Sequence, residues 1–323
     1  MEPLKVYACY NTNKDVRLNS SSGAVFSSLA ENVLDQQGVV YGVAMSEDCY
    51  SAEFISVTSK KQLTKLRGSK YLQAKVGNTY KLVKKDLISG KLVLFSGTGC
   101  QVNGLKIFLG KDYDNLICVD VICHGVPSPA LWREYATYQE QKNGGKLKGI
   151  NFRCKDDSWT NIGITKVLNE IHHEKTRKIY IPKNDDSYMS MFLKNVCLRP
   201  ACYECVAKKT HMADLTIGDC WRAGEIAAEL YDGVGISLVL IRTKKGENKW
   251  NTIINTMRVK EVAYQDGIRG NSAEYSSCDR PLQRNTFFKD MKELSYSDLE
   301  KKYAPVEMKT VTTAIKLWVK NKA

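Results

Sequence analysis

One stretch of the sequence, residues 91–125, constrains the fold of this chain more than any other. It reads KLVLFSGTGCQVNGLKIFLGKDYDNLICVDVICHG: an apolar strand pattern, a turn, an amphipathic helix and a second apolar strand. Two strands that are joined through a helix run parallel in one sheet. The stretch therefore predicts a β-α-β unit whose two strands end at the same rim of the sheet.

Strand and helix patterns continue to alternate along the chain. Further predicted strands are LKVYACY, GVVYGVAM, ADLTIG and ISLVLIR, and further predicted helices are AVFSSLAENVL and NTYKLVKKDLIS. Alternation of this kind is typical of α/β proteins. We predict an α/β fold with a mixed, mostly parallel sheet, flanking helices, and ligand sites at the carboxyl ends of the strands.

The chain divides into three predicted parts: residues 1–95, residues 96–255, and a more polar helical extension over residues 256–323. The last segment, KTVTTAIKLWVKNKA, has the pattern of a basic amphipathic helix. We interpret it as a helix that docks on the body of the protein, with a membrane-surface or partner helix as the alternative.

The net charge of the chain indicates the kind of partner it binds, and its N-terminal residues indicate its location. The chain has 48 Lys and Arg against 35 Asp and Glu, a net charge of +13, which favours nucleic acid, an anionic membrane, a phosphorylated cofactor or an acidic protein. The N-terminal residues MEPLKVYACYNTNKD lack a signal-peptide pattern, and no apolar run is long enough to span a membrane. We therefore expect a cytoplasmic protein.

The eleven cysteines predict metal binding, redox chemistry or packing, because the cytosol keeps thiols reduced. Cys9, Cys49 and Cys118 lie in strand-like apolar runs and are expected to pack as small hydrophobic side chains. The segment NVCLRPACYEC is different, since it carries Cys197, Cys202 and Cys205 in eleven residues. Its C-x2-C pair lets two sulfurs face one ion or one corner of a cluster.

Two further sulfurs are expected at the same place. Cys100 and Cys123 each follow a strand of the 91–125 unit, so both lie on the rim where α/β sheets bind ligands. Together with the C-x2-C pair they would form a site of four thiolates, suited to zinc or an iron–sulfur cluster. Cys197 and Cys220 compete for a place in this site, and the spacing leaves the choice open.

A second site is predicted from a serine-rich turn. In NSSSGAVFSSLAENVL, Gly23 precedes a helix whose free N–H groups would bind a phosphate or pyrophosphate, with an ordinary helix cap as the alternative. The segment KLRGSKYLQAK supplies Arg67, Lys70 and Tyr71, which could neutralise a diphosphate and stack on a ring, or form a solvated basic face.

The histidines give weaker signals. His124, next to Cys123, is a candidate ligand or proton donor, although a structural role is the more common one for a single histidine. His172 and His173 lie in the charged stretch LNEIHHEKTRK and are expected at the surface.

Nine motifs in order resemble one family, the beta subunit of coenzyme F420 hydrogenase/dehydrogenase. They are NSSSGAVFSSLAENVL, GVVYGVAM, LRGSKYLQAKVGNTY, LFSGTGCQVNGLKIFLGKDYDNL, VDVICHGVPSP, NFRCKDD, LRPACYEC, ADLTIGDCW and GISLVLI. The resemblance covers about residues 4 to 245. It implies an α/β flavoprotein that carries FAD and a [4Fe-4S] cluster and passes electrons between iron–sulfur carriers and an organic acceptor, such as coenzyme F420 or another small molecule.

The resemblance also implies site residues. The motifs GTGCQ, CHG and ACYEC match the family's cluster ligands and give the set Cys100, Cys123, Cys202 and Cys205. The flavin is implied near Ser21, Ser22, Gly23, Lys70, Tyr71, Gly97 and Thr98. Residues 1–95 then form the flavin-binding part and residues 96–255 the iron–sulfur part, and His124 and Lys70 are the candidate catalytic side chains.

Some positions depart from the family pattern. Gly99 stands where the family has proline, Ala24 replaces a second glycine, and Cys220 and Arg222 alter a GDFWG motif. The ferredoxin-like segment that many relatives carry ahead of these motifs is missing from this sequence, so a separate ferredoxin-like carrier is the expected electron partner, and an oligomer is possible. Two functions from other classes stay open: a non-catalytic zinc module with four cysteines, and a basic nucleic-acid binder, although no nucleic-acid motif is found.

Overall fold

A computed structural model describes residues 2–155, 158–170 and 176–305. Its strands are β1 (Lys5–Asn11), β2 (Val39–Met45), β3 (Ala52–Val57), β4 (Ala74–Lys75), β5 (Val93–Thr98), β6 (Leu116–Val121), β7 (Gly145–Cys154), β8 (Gly163–Glu170), β9 (Thr176–Pro182), β10 (Leu215–Asp219), β11 (Ser237–Ile241) and β12 (Met257–Glu261).

The α-helices connect these strands and follow the last one. They are α1 (Lys14–Leu18), α2 (Val25–Asp35), α3 (Lys60–Leu63), α4 (Thr79–Ile88), α5 (Gly99–Leu109), α6 (Pro129–Asn143), α7 (Ser187–Leu193), α8 (Ala223–Ile226), α9 (Lys244–Asn251), α10 (Tyr264–Ile268), α11 (Arg284–Glu293) and α12 (Tyr296–Tyr303).

A nine-stranded sheet forms the centre of the molecule, in the order β12-β1-β11-β10-β6-β5-β2-β3-β4. Its middle strands, β10, β6, β5 and β2, are parallel, and antiparallel pairings with β11 and β3 flank them. The first five residues of β6, LICVD, are all buried. Parallel strands that are covered on both faces need such continuous burial.

Alternate residues of each central strand face two different apolar cores. Phe95 belongs to the core that contains α4, α5 and α6, whereas Leu94 belongs to the core that contains α2 and α9. Side chains alternate between the two faces because the strand period is two residues. A separate antiparallel sheet, β7-β8-β9, packs on the first of these cores.

The predicted α/β class with a mixed sheet is confirmed, and the β5-α5-β6 crossover has both strands adjacent and parallel. The nine predicted strands and helices correspond to β1, β2, β5, β6, β10, β11, α2, α4 and α5. Cys9, Cys49 and Cys118 are buried, as predicted. The sequence patterns did not predict β3, β4, β12 or the β7-β8-β9 sheet.

The C-terminal part contains both helices and a strand. β12 pairs with β1, and α10, α11 and α12 follow it. The basic amphipathic segment at residues 309–323 lies outside the described residues, and so do His172 and His173.

Candidate functional site

The carboxyl ends of the parallel strands form one edge of the sheet, at which two cavities meet. Thr98 ends β5 and Asp219 ends β10. The smaller cavity, of about 240 Å³, is called the cysteine cavity, and the other, of about 530 Å³, is called the large cavity. The two share a wall formed by Thr98, Val121, Ile122, Cys123, His124, Gly125, Val126 and Ala273.

All four cysteines of the predicted ligand set line the cysteine cavity. Cys100 lies in the first turn of α5, and Cys123 follows the end of β6. Cys202 ends a short 3-10 turn, Pro200–Cys202, and Cys205 precedes another, Val206–Lys208. The fold therefore brings together residues that are about a hundred positions apart in the sequence.

Backbone hydrogen bonds hold the C-x2-C segment against the end of β6. The Arg199 N–H donates to the Val126 carbonyl at 2.9 Å, and the Ser128 N–H donates to the Cys197 carbonyl at 2.9 Å. Gly125 permits this approach, because a Cβ there would lie 2.8 Å from Leu198 Cδ1. The segment is thus attached to the strand end that carries Cys123.

The competing cysteines lie elsewhere. Cys197 is fully buried in the apolar core below α6 and α7, and burial raises the pKa of its thiol. Cys220 is buried against β1 and β11, and burial raises its pKa to about 12. A further sulfur that the sequence did not indicate, Cys278, approaches the carbonyl oxygen of Cys202 at 3.7 Å.

The donor chemistry of the cysteine cavity fits an iron–sulfur cluster or a zinc ion. Four thiolates on one zinc ion at ~2.3 Å lie within about 4 Å of each other. Among the described residues, no three His, Cys, Asp or Glu side chains converge on a position that could hold one metal ion. The four cysteines line a cavity of about 240 Å³, and sulfur is the donor that iron–sulfur clusters require.

A buried polar group forms the back of the cysteine cavity. Arg242 Nε donates to Thr216 Oγ1 at 2.6 Å, and its guanidinium pairs with Glu274. Burial raises the pKa of Asp120 to about 7, and Thr216 and Arg242 only partly offset this effect. Asp120 Oδ1 has no hydrogen-bond partner in the described part of the chain. Sequence reasoning missed Asp120, because an aspartate inside an apolar strand carries no motif.

Replacing Asp120 with asparagine is expected to flatten the dependence of stability on pH. Below about pH 4, Asp120 is protonated in both the folded and the unfolded protein and does not affect stability. Because its pKa is raised in the folded protein, its ionisation lowers the stability of the fold progressively as the pH rises to about 7. The stability lost between pH 4 and pH 8 should shrink by on the order of 3 kcal/mol in Asp120→Asn. Urea unfolding of cofactor-free protein at both pH values measures this change.

The matched control is Asp114→Asn, because Asp114 is exposed. This variant should keep the wild-type pH dependence. The prediction is wrong if the stability of Asp120→Asn falls with pH as much as that of the wild type. Ionisation of Asp120 would then cost the folded protein little free energy.

The large cavity contains the amino end of α2. This helix begins at Val25 after Ala24, and no side chain caps its first N–H groups. Ala24, Val25, Phe26 and Ser27 all line the cavity. An uncapped helix N-terminus that faces a cavity is suited to an anionic group.

The two predicted flavin motifs lie side by side at this helix end. Ser69 N–H donates to Ser21 Oγ at 2.9 Å, and Arg67 Nε donates to Ser27 Oγ at 3.2 Å. The charged residues in the lining comprise four cations and one carboxylate: Arg67, Lys70, Arg153, Lys183 and Asp219. The charge of the large cavity therefore also favours an anion.

Arg153 and Asp219 leave buried polar atoms without a partner. Arg153 Nη1 donates to Asp219 Oδ2 at 2.5 Å, but Arg153 Nε and Nη2 and Asp219 Oδ1 have no hydrogen-bond partner among the described residues. Burial of unpaired polar atoms is costly, so such atoms indicate a bound group that satisfies them. This observation fits a polar cofactor in the large cavity.

Six of the seven predicted flavin residues line the large cavity: Ser21, Ser22, Lys70, Tyr71, Gly97 and Thr98. Gly23 does not. Its N–H donates to Ser237 Oγ at 2.9 Å, and a Cβ at this position would lie 2.3 Å from the Cys9 carbonyl oxygen and 2.7 Å from the Ser237 nitrogen. The glycine therefore lets the serine turn pack on β1 and β11, behind the cavity.

Gly23→Ala should destabilise the protein by about 3 kcal/mol, because the added methyl group meets backbone atoms of two strands. Thermal unfolding measures the effect. Gly224→Ala is the control, since the nearest atom to a Cβ at Gly224 is 3.9 Å away. Equal melting temperatures for the two variants would contradict this account of Gly23.

The two candidate catalytic side chains both line the large cavity. His124 lines both cavities, and its Nε2 forms a 2.6 Å hydrogen bond with Asn195 Oδ1. Burial lowers the pKa of His124. Lys70 lines the large cavity and donates to the carbonyls of Lys65 and Arg67 at 3.1 and 2.8 Å, and burial lowers its pKa to about 7. Lys70 could therefore exchange a proton near neutral pH.

Comparison with known proteins identifies the family. The family model for the N-terminal part of the coenzyme F420 hydrogenase/dehydrogenase beta subunit matches residues 6–80, and the model for the C-terminal part of the same beta subunit matches residues 90–266. The chain belongs to this beta-subunit family. Membership makes it a component of an electron-transferring oxidoreductase.

A solved structure has the same fold. It is a xenon derivative of the F420-reducing [NiFe] hydrogenase complex from Methanosarcina barkeri, one chain of which matches with a TM-score of 0.51 and 15% sequence identity. The match covers 80% of this chain and 82% of that chain.

No curated protein matches the chain. No helix in the described residues has the length and apolar character to cross a membrane.

Two positions that depart from the family pattern lie at the starts of helices α2 and α5. Ala24 has a φ of 70°, a left-handed conformation that glycine adopts freely and that costs alanine about 1 kcal/mol. Gly99 is the first residue of α5, the helix position at which proline is favoured. Glycine at that position leaves the helix start, and Cys100 after it, in place.

Proposed function

We propose that the chain is an iron–sulfur flavoprotein oxidoreductase that passes electrons between a separate ferredoxin-like carrier and a small organic acceptor. The observation that carries the proposal is the wall shared by the cysteine cavity and the large cavity. A group bound in one cavity would lie next to a group bound in the other, as electron transfer between them requires.

In this proposal, Cys100, Cys123, Cys202 and Cys205 hold a [4Fe-4S] cluster, which supplies one-electron chemistry. The first turn of α5 provides one sulfur, the end of β6 a second, and the segment attached to β6 the other two. Burial raises the pKa of Cys123 to about 12, so binding of iron there would release a proton.

The large cavity would hold FAD, which supplies two-electron chemistry. The uncapped start of α2 and the cations Arg67 and Lys70 support the site for its pyrophosphate. Ser21, Ser22, Gly97 and Thr98 would line the remaining path of the cofactor, and Tyr71 would add an aromatic wall. Gly23 would act only through packing.

The chain's own residues would bind, orient and transfer protons. His124 lies in the shared wall, fixed by Asn195, and is a candidate to hold or release a proton beside the acceptor. Lys70 is the second candidate. The acceptor would be coenzyme F420 or another small molecule, and the net charge of +13 would attract an acidic carrier.

The two cofactors would be bound by successive parts of the chain. Residues 1–95 would form the flavin-binding part, residues 96–255 the iron–sulfur part and residues 256–323 the C-terminal extension. We further propose a cytoplasmic location for the protein.

The proposal is tested by the absorption spectrum of protein purified without oxygen, with iron, sulfide, zinc and flavin quantified in the same sample. We expect about four iron and four sulfide per chain together with bound flavin. Stoichiometric zinc with no flavin would instead support a structural module with four cysteines. Neither iron nor flavin after anaerobic reconstitution would refute the proposed function.

A further inference from the structure

The ammonium group of Lys208 contacts the wall that the two cavities share. Its Nζ donates to the carbonyl oxygen of Cys123 at 2.6 Å and also to the carbonyl of Ala273. Cys123 and Ala273 both belong to the shared wall. Since Nζ bonds to the main chain of Cys123, it lies within roughly 8 Å of the Cys123 sulfur.

The charge of Lys208 has no ion-pair partner among the residues that the structure describes. In the described ranges, none of the salt bridges involves Lys208. The other cation at the back of the cavity, Arg242, is paired with Glu274, and His211 is neutral at pH 7 because burial lowers its pKa to about 4. Asp120 is a buried carboxyl whose raised pKa of about 7 limits its negative charge.

The exposed charges at the mouth of the cavity act more weakly. Arg199 and Glu204 are in contact with solvent and have opposite signs. Water and salt screen such charges, whereas a partly buried charge is screened much less. Lys208 is therefore the dominant positive charge at the wall behind Cys123.

We propose that the Lys208 ammonium raises the reduction potential of the cluster held by Cys100, Cys123, Cys202 and Cys205. This inference rests on the proposed function. Reduction adds one electron, taken from the ferredoxin-like carrier that is thereby oxidised, to a group that four thiolates already make anionic. A nearby cation stabilises the more negative, reduced form more than the oxidised form. The step transfers one electron, and no bond is made or broken.

The experiment is a redox titration of the anaerobically purified protein, followed by electron paramagnetic resonance of the reduced cluster. Lys208→Gln removes the charge but keeps an N–H donor for the two carbonyls. Lys208→Arg keeps the charge. Lys209→Gln is the matched control, because Lys209 is the adjacent residue and is exposed.

In Lys208→Gln, the equilibrium constant for one-electron reduction should fall at least about tenfold, a shift of about 59 mV to more negative potential. Lys208→Arg and Lys209→Gln should stay within about twofold of the wild type. Equal potentials for Lys208→Gln and Lys209→Gln would overturn the inference while leaving the proposed function intact. Wild-type protein without iron would overturn both.

The outcome is also decisive if Lys208→Gln does not retain iron. Retention of iron by Lys208→Arg, with a potential within about twofold of the wild type, would then support the inference, because arginine restores the positive charge but not the shape of the lysine side chain. Loss of iron from Lys208→Arg as well would show that the lysine acts through the fit of its side chain, and would overturn the inference.

Discussion

Cys202→Ser is expected to lower the iron content of anaerobically purified protein at least about tenfold, from about four iron per chain. The Cys202 N–H donates to the Arg199 carbonyl at 2.9 Å, so the backbone of the segment stays in place when the sulfur is removed. The serine oxygen is harder and is carried on a shorter bond, which suits iron–sulfur chemistry poorly. Iron and sulfide analysis, with the loss of visible absorption, measures the effect.

The matched control is Cys197→Ser, five residues earlier in the same segment. Cys197 is fully buried in the apolar core and does not line either cavity. Its replacement should cost about 1–3 kcal/mol of stability, because it buries a hydroxyl group, but should leave the iron content unchanged. The ligand set proposed here is wrong if Cys197→Ser loses the iron while Cys202→Ser keeps it.

Lys70→Glu should weaken FAD binding by about a hundredfold. The change places a carboxylate in the lining of the large cavity, which also contains the uncapped start of α2 and favours an anion. A charge-assisted hydrogen bond contributes about 1.5–3 kcal/mol, and 1.4 kcal/mol corresponds to about tenfold in affinity. Titration of the flavin-free protein with FAD, followed by protein fluorescence, gives the dissociation constant.

Lys65→Glu makes the same charge change on an exposed side chain of the same loop, and should alter FAD affinity less than about threefold. Lys70→Gln should lie between the wild type and Lys70→Glu. Circular dichroism separates a binding effect from loss of the loop that Lys70 braces through Lys65 and Arg67. Equal affinities for the two glutamate variants would place the FAD phosphates elsewhere.

The central strands were predictable from sequence because their pattern is determined locally. The first three residues of β5 and the first five of β6 are buried, and the helix between the two strands requires them to be parallel. β7 was missed because glycines and lysines interrupt its apolar residues, and its pairing with β8 shifts register after Leu147 and again after Asn151. β4 has only two residues, too few for any pattern.

The candidate site was predictable where residues follow strand ends. Cys100 and Cys123 could be placed on one rim because they follow β5 and β6. Lys208 and Arg153 could not, because their positions depend on contacts with residues 66 to 85 positions away, such as Asp219 and Cys123. Sequence alone does not distinguish a glycine that faces a ligand from one that packs on a strand, as Gly23 does.

The order of strands in the large sheet has a consequence for how this protein is made. β1 lies between β11 and β12, so within the described part of the chain the first strand of the sheet pairs only with strands from residues 237–261. While the ribosome synthesises the intervening chain, both sides of β1 lack their partners, and an unpaired strand is a template for aggregation. Fragments cut between residues 95 and 237 should therefore be insoluble alone and should recover the native sheet only when expressed together.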